Sequence, residues 1–129
     1  MLAGTSEDSV VSAVRSLNTA EIAYAQAHPA TGYTCDLSDL SGAWGISSEL
    51  ARGKKNGYFF VIRKCAPAKA GGPTVKYQLL AFPETFNAGA AAFCSDQSDV
   101  IRVSHNGSAE DCLKSGSDLS ENEINHPKQ

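Results

Sequence analysis

The chain has 129 residues, of which 42% are hydrophobic and 19% charged, with a formal net charge of −3. That length is one domain's worth, able to bury roughly two-thirds of the surface the unfolded chain exposes. It holds no run or face rich in Lys and Arg that would displace phosphate counterions or hold an anionic bilayer, so the balance disfavours nucleic-acid and polybasic membrane binding.

From Ser6 to His28 there is no Gly or Pro, and Val10, Ala13, Val14, Leu17, Ala20, Tyr24 and Ala27 recur at helical spacing. The pattern predicts an amphipathic helix over about 6–28. Glu7 and Asp8 suit its positive end, Thr5 with Asp8 fits a capping box, and Pro29 and Gly32 close it. Val11 and Ile22, with Arg15 and Asn18 between them, form a weaker stripe on another side. Scattered exposed apolar residues are normal, and that reading competes with a contact surface for a neighbouring subunit. Residues 34–45 carry turn chemistry, and Ile46 to Arg52 fits a short helix begun at Ser47 or Ser48 and stopped at Gly53. Trp44 fits a plug under this loop better than a ligand platform.

The period then changes to two. Tyr58–Lys64 and Val75–Phe82 read as strands around the Ala66–Thr74 loop, and Ala91–Ser95 and Val100–Ser104 as a second pair around an Asp96–Asp99 turn. The expected fold is α+β, a helix on a four-stranded antiparallel sheet over about 57–104, with a short second helix. The single domain spans 1–119, and the polar tail, Ser120 to Gln129, is expected to be disordered.

Cys35, Cys65, Cys94 and Cys112 are widely spaced, with no C-x-x-C. An even count favours two disulfides and an oxidising compartment over four buried thiols. Of three connectivities, Cys35–Cys65 and Cys94–Cys112 are favoured: the second closes a short loop, and the first ties the post-helix loop to the first strand. Export needs a signal, yet Met1 to Ser9 has no apolar stretch, so the expectation is a fragment whose export segment lies upstream.

Residues for catalysis do not converge. His28 precedes a proline, His105 lies beside an Asn-Gly turn and His126 is in the tail, and no nucleophile elbow, phosphate loop or His-Glu-x-x-His is present. No enzyme activity and no cofactor are expected. Asp96, Asp99, Glu110 and Asp111 supply hard oxygen ligands that suit calcium, but their spacing matches no EF-hand, and solvated loop carboxylates are the commoner outcome. Asn106-Gly107-Ser108 fits a glycosylation sequon, and better an ordinary turn.

The segment Ser16-Leu17-Asn18-Thr19-Ala20-Glu21, followed by Tyr24, resembles the soluble half of the long helix of bacterial type IV pilins and pseudopilins. It is similar to a pilin-like group with a Leu/Ile-Asn-Thr-Ala-Glu signature there. Gly57-Tyr58-Phe59-Phe60, Tyr77 through Ala81 with Pro83, and Phe93 through Ser98 to Val100-Ile101-Arg102 match in the same order. The resemblance covers roughly Ser6 to Leu119. It implies a lollipop-shaped subunit whose apolar N-terminal helix half sits first in the inner membrane and then in a filament core. The family's leader and Phe-Thr-Leu-Ile-Glu-like processing motif are absent here, in keeping with the expectation of a fragment. A final-loop disulfide such as Cys94–Cys112 is common in pilins. Where the pattern usually has Gly in the last turn, this chain has Asp99, so either the turn differs or Asp99 takes a left-handed conformation.

On this reading the chain is the soluble head of a type IV pilus or type II secretion pseudopilus subunit, in the periplasm or at the cell surface. Its partners are other such subunits, and only the missing helix half meets the membrane. Val11, Arg15 and Ile22 are the expected neighbour contacts. Glu21 makes either an intersubunit or a helix-to-sheet polar contact, with a solvated charge as the plain alternative. The rival reading is an extracytoplasmic binding module with no filament role.

Overall fold

A computed structural model of the chain describes residues 2–85 and 90–118, with side chains inside the first helix from Ser9 onward. Helix α1 (Leu2–Ala27) is followed by 3-10 turns at Leu37–Leu40 and Gly42–Trp44 and by the short helix α2 (Ser48–Ala51). Strands β1 (Lys54–Lys55), β2 (Tyr58–Pro67), β3 (Thr74–Pro83), β4 (Ala92–Asp96) and β5 (Arg102–Ser104) come next, then helix α3 (Ala109–Ser115) and strand β6 (Ser117–Asp118). The protein is therefore α+β, with every neighbouring strand pair antiparallel in the order β1-β2-β3-β4-β5-β6.

The sheet has six strands, not the four expected, because two-residue strands add to both edges. β1 turns into β2 through Asn56 and Gly57, both at positive φ, as a tight hairpin turn demands. Helix α3 stands where the sequence pattern suggests only a cysteine loop. It begins at a cap the sequence does contain, for Ser108 Oγ accepts the Asp111 N–H at 3.2 Å. Thr5 lies inside α1 and is not its cap. β2 runs on through a register shift between Arg63 and Ala66, beside Lys64 at φ 54. The tail from 120 to 129, and His126 within it, lie outside the described residues.

Alternation along the strands divides the core between two faces. Tyr58, Phe60, Ile62, Tyr77, Leu79, Ala81 and Phe93 pack with Val10, Ala13, Val14, Leu17 and Ala20 of α1. Leu80 and Cys94, with Val61 and Phe82, face the opposite way and meet Cys112, Ala109 and Leu113 around α3. Both favoured disulfides are present, Cys35–Cys65 and Cys94–Cys112, each with Cα atoms 6.0 Å apart.

After α1 the chain turns on Gly32, whose φ is 77 and whose N–H bonds to the His28 carbonyl at 2.8 Å. There it meets the start of β3: Tyr33 N–H donates to Thr74 O at 3.1 Å and Thr74 N–H to Thr31 O at 3.0 Å. A Cβ at Gly32 would stand 2.2 Å from Thr74 O, so both the dihedral and the approach require glycine.

Candidate functional site

Two parts of α1 carry the polar chemistry, one facing out and one facing in. Ser12, Arg15, Ser16 and Thr19 line a groove of about 300 Å³ whose other wall is Trp44, Gly45 and Ile46. A second depression of about 260 Å³ continues it past Ser9 and Ser47 to Lys55. Gly45, at φ 87, closes the 3-10 turn that holds Trp44 against the helix. Trp44 meets Tyr24 edge-on at 5.5 Å and His28 at 5.8 Å, while Tyr24 and His28 stack at 4.3 Å. Trp44 is thus a half-buried wall of the groove, packed against the core from its margin.

Of the expected neighbour contacts, Arg15 is exposed in this groove and Ile22 is exposed. Val11 is half-buried and packs against the core. Asn18, expected on the same stripe, turns inward and is fully buried. Its Nδ2 donates to Ser95 Oγ at 2.8 Å and its Oδ1 accepts the Tyr77 hydroxyl at 2.6 Å. Ser95 Oγ in turn donates to Val100 O at 2.8 Å. Asn18 thereby ties α1 to β3 and to the β4–β5 turn.

Glu21 is also fully buried, so it is not a solvated charge. Among the described residues it makes no hydrogen bond to the sheet; Oε1 accepts the backbone N–H of Thr34, in the loop after α1, at 2.8 Å. Burial pushes its carboxyl up to about 7, a rise that the Thr34 bond opposes and the Asp39 charge reinforces. Burial likewise raises the Tyr77 hydroxyl, with Glu21, Tyr33, Asp99 and Asp96 adding to the rise. Of these inward residues only Glu21, four beyond Leu17, is legible in register. Asn18 is four beyond Val14 but also three beyond Arg15, so it sits at the border of the core face and the outer stripe.

The acidic residues serve local structure. Asp96 Oδ1 accepts from Ser98 N and Oγ at 2.9 and 2.6 Å, and Asp99 takes a left-handed φ of 67, so it stands where a glycine would be easy. Asp111 Oδ2 accepts from Asn106 Nδ2, and Glu110 pairs with Arg63 at 3.0 Å. Among the described residues no group of three His, Cys, Asp or Glu side chains is placed to hold a metal ion. Asn106 forms the turn before α3, accepting from Ser104 Oγ and Ser108 N at 2.7 and 2.8 Å. On the exposed loop, Asp36 is held below the usual carboxylate range by the Ser38 hydroxyl and then by its N–H. Among the described residues no helix is long and apolar enough to cross a membrane.

Comparison with protein-family models, curated proteins and solved structures finds no match to this chain.

Proposed function

We propose that this domain is the head of a filament subunit of the type IV pilus or type II secretion pseudopilus kind, acting by assembly and not by catalysis. The observation that carries the reading is the division of α1. One face is spent on the sheet through Val10, Val14 and Leu17, and the other presents Arg15, which lines a surface groove, and the exposed Ile22. A helix that from Ser9 onward is core on one side and exposed on the other suits an element shared between a domain and its neighbours. The two disulfides fit maturation in an oxidising, extracytoplasmic compartment, which we take to be the periplasm followed by the cell surface.

The reading requires an apolar helical segment encoded immediately N-terminal to Leu2. Its test is assembly in the native host. Arg15→Glu with Ile22→Asp should abolish filaments in electron micrographs, or secretion of an exported substrate, while the purified domain keeps its melting temperature. Normal filaments and secretion from that variant would overturn it.

The groove itself favours a second reading, an extracytoplasmic binding module, because Ser12, Ser16 and Thr19 line it together with Trp44. An upstream coding sequence with no apolar helix would select that reading. Calcium, if bound, would fall to Asp96, Asp99 or Asp111, and calorimetric titration with the ion decides it.

A further inference from the structure

The two oxygens of the Glu21 carboxyl are treated unequally. Oε1 accepts the Thr34 N–H at 2.8 Å, whereas Oε2 is buried with no hydrogen-bond partner among the described residues. The charge that acts on it is itself negative. From the 3-10 turn, Asp39 brings a second carboxylate, and its Oδ2 accepts the Thr34 hydroxyl at 2.6 Å. From β3 comes Tyr77, whose hydroxyl is already given to Asn18, and from the loop Tyr33, edge-on to Tyr77 at 4.9 Å. Asp96 and Asp99, at the β4–β5 turn, add negative potential at Tyr77. On α1 itself, His28 lies two turns further along, exposed and bonded to the Tyr24 carbonyl at 3.0 Å. Two carboxyl groups therefore grip one residue: Glu21 takes the amide of Thr34 and Asp39 its hydroxyl.

We propose that Glu21 is a proton-dependent catch on the Thr34 turn: as the neutral acid it stays buried on α1 with Thr34 packed over it. On ionisation it draws water to Oε2 and loosens the packing at Thr34, within the limits set by the Cys35–Cys65 disulfide and the buried Leu40. Only one O–H bond is involved, and its proton passes to solvent when the Thr34 turn loosens and water reaches the carboxylate. A neutral carboxyl tolerates an unpartnered buried oxygen far better than a carboxylate does. The direction follows from linkage. Glu21 titrates at about 7 in the folded chain against an ordinary 4.5, so between those values the folded chain binds the extra proton. Closure is fully supported below about 4.5 and weakens as pH rises through 7. Because the chain after Thr34 leads into the Gly42–Trp44 turn, the catch also bears on one wall of the groove on α1.

The test is a pH titration of the intact domain followed by carbon NMR of the Glu21 carboxyl and by exchange of the Thr34 amide, in wild type and in E21Q. The glutamine side chain of that variant keeps an acceptor for Thr34 and carries no charge. The carboxyl is expected to titrate near 7, and Thr34 protection to fall tenfold or more between about pH 5.5 and 8 in wild type while staying level in E21Q. Emission of Trp44, the sole tryptophan, gives a second readout. His28, 5.8 Å from it, is unchanged by the substitution, so the difference between the two proteins isolates Glu21. A carboxyl that titrates in the ordinary glutamate range, or a Thr34 profile shared by both proteins, would overturn the proposal. Should E21Q fail to fold, the wild-type carboxyl and Thr34 titrations decide it alone.

Discussion

One face of the sheet lies under α1 and the other under α3, and the two covers are held differently. α1 brings Val10, Val14 and Leu17 to complete burial and has no covalent link of its own to the strands beneath. α3 spans only Ala109–Ser115, buries chiefly Cys112, and is tied to β4 through Cys94. Its side of the sheet leaves Phe59 exposed beside Phe82, with ring centroids 5.8 Å apart. A long helix removes enough apolar surface from water to hold itself down, whereas a two-turn helix does not, and here a disulfide makes up the difference.

The most severe break in this contrast is Leu17→Ala. It should cost about 2–5 kcal/mol in denaturant unfolding, with the α1 and sheet signals lost together. Replacing Cys94 and Cys112 by alanine should cost about 2–4 kcal/mol, and hydrogen exchange should show α3 opening while α1 stays protected. If both helices loosened equally, the two covers would be one cooperative unit. A finer probe is Asn18→Leu, which removes the acceptor of the buried Tyr77 hydroxyl and should cost about 1–3 kcal/mol despite added apolar volume. The smallest effect belongs to the half-exposed pair beside α3. Arg63→Ala should change stability by less than about 1 kcal/mol, and salt should shrink that change further.

What can be read from the amino-acid order follows the same division. The α1 face is legible because its apolar residues recur at helical spacing over many turns, and the long strands because their alternation is sustained. The edge strands are not, since two residues hold no period, although Asn56-Gly57 is a hairpin signal that locates β1. α3 is legible only at its cap, Ser108 with Asp111, because its apolar content is too small for a stripe. Burial of Asn18 and Glu21 runs against their polarity and depends on partners far along the chain: Tyr77, Ser95 and Thr34. Residue type assigns both outward, and spacing leaves Asn18 between the core face and the outer stripe; both turn inward because those partners satisfy most of their polar atoms. Of the expected contact surface, Arg15 and Ile22 are where helical spacing puts them, and the groove beside them depends on the Trp44 turn, which no periodicity encodes.

Gly32 also governs which thiols find each other. Where its backbone lies against Thr74, the chain can pass close enough to the hairpin that Cys35, three residues on, is delivered beside Cys65. Any L-residue at position 32 would force that crossing apart and lower the local concentration of one sulfur at the other. Exchange with Cys94 or Cys112 would then compete, and the oxidised chain would emerge as a mixture of isomers. The selectivity of a covalent reaction is in this way inherited from the absence of a single methyl group.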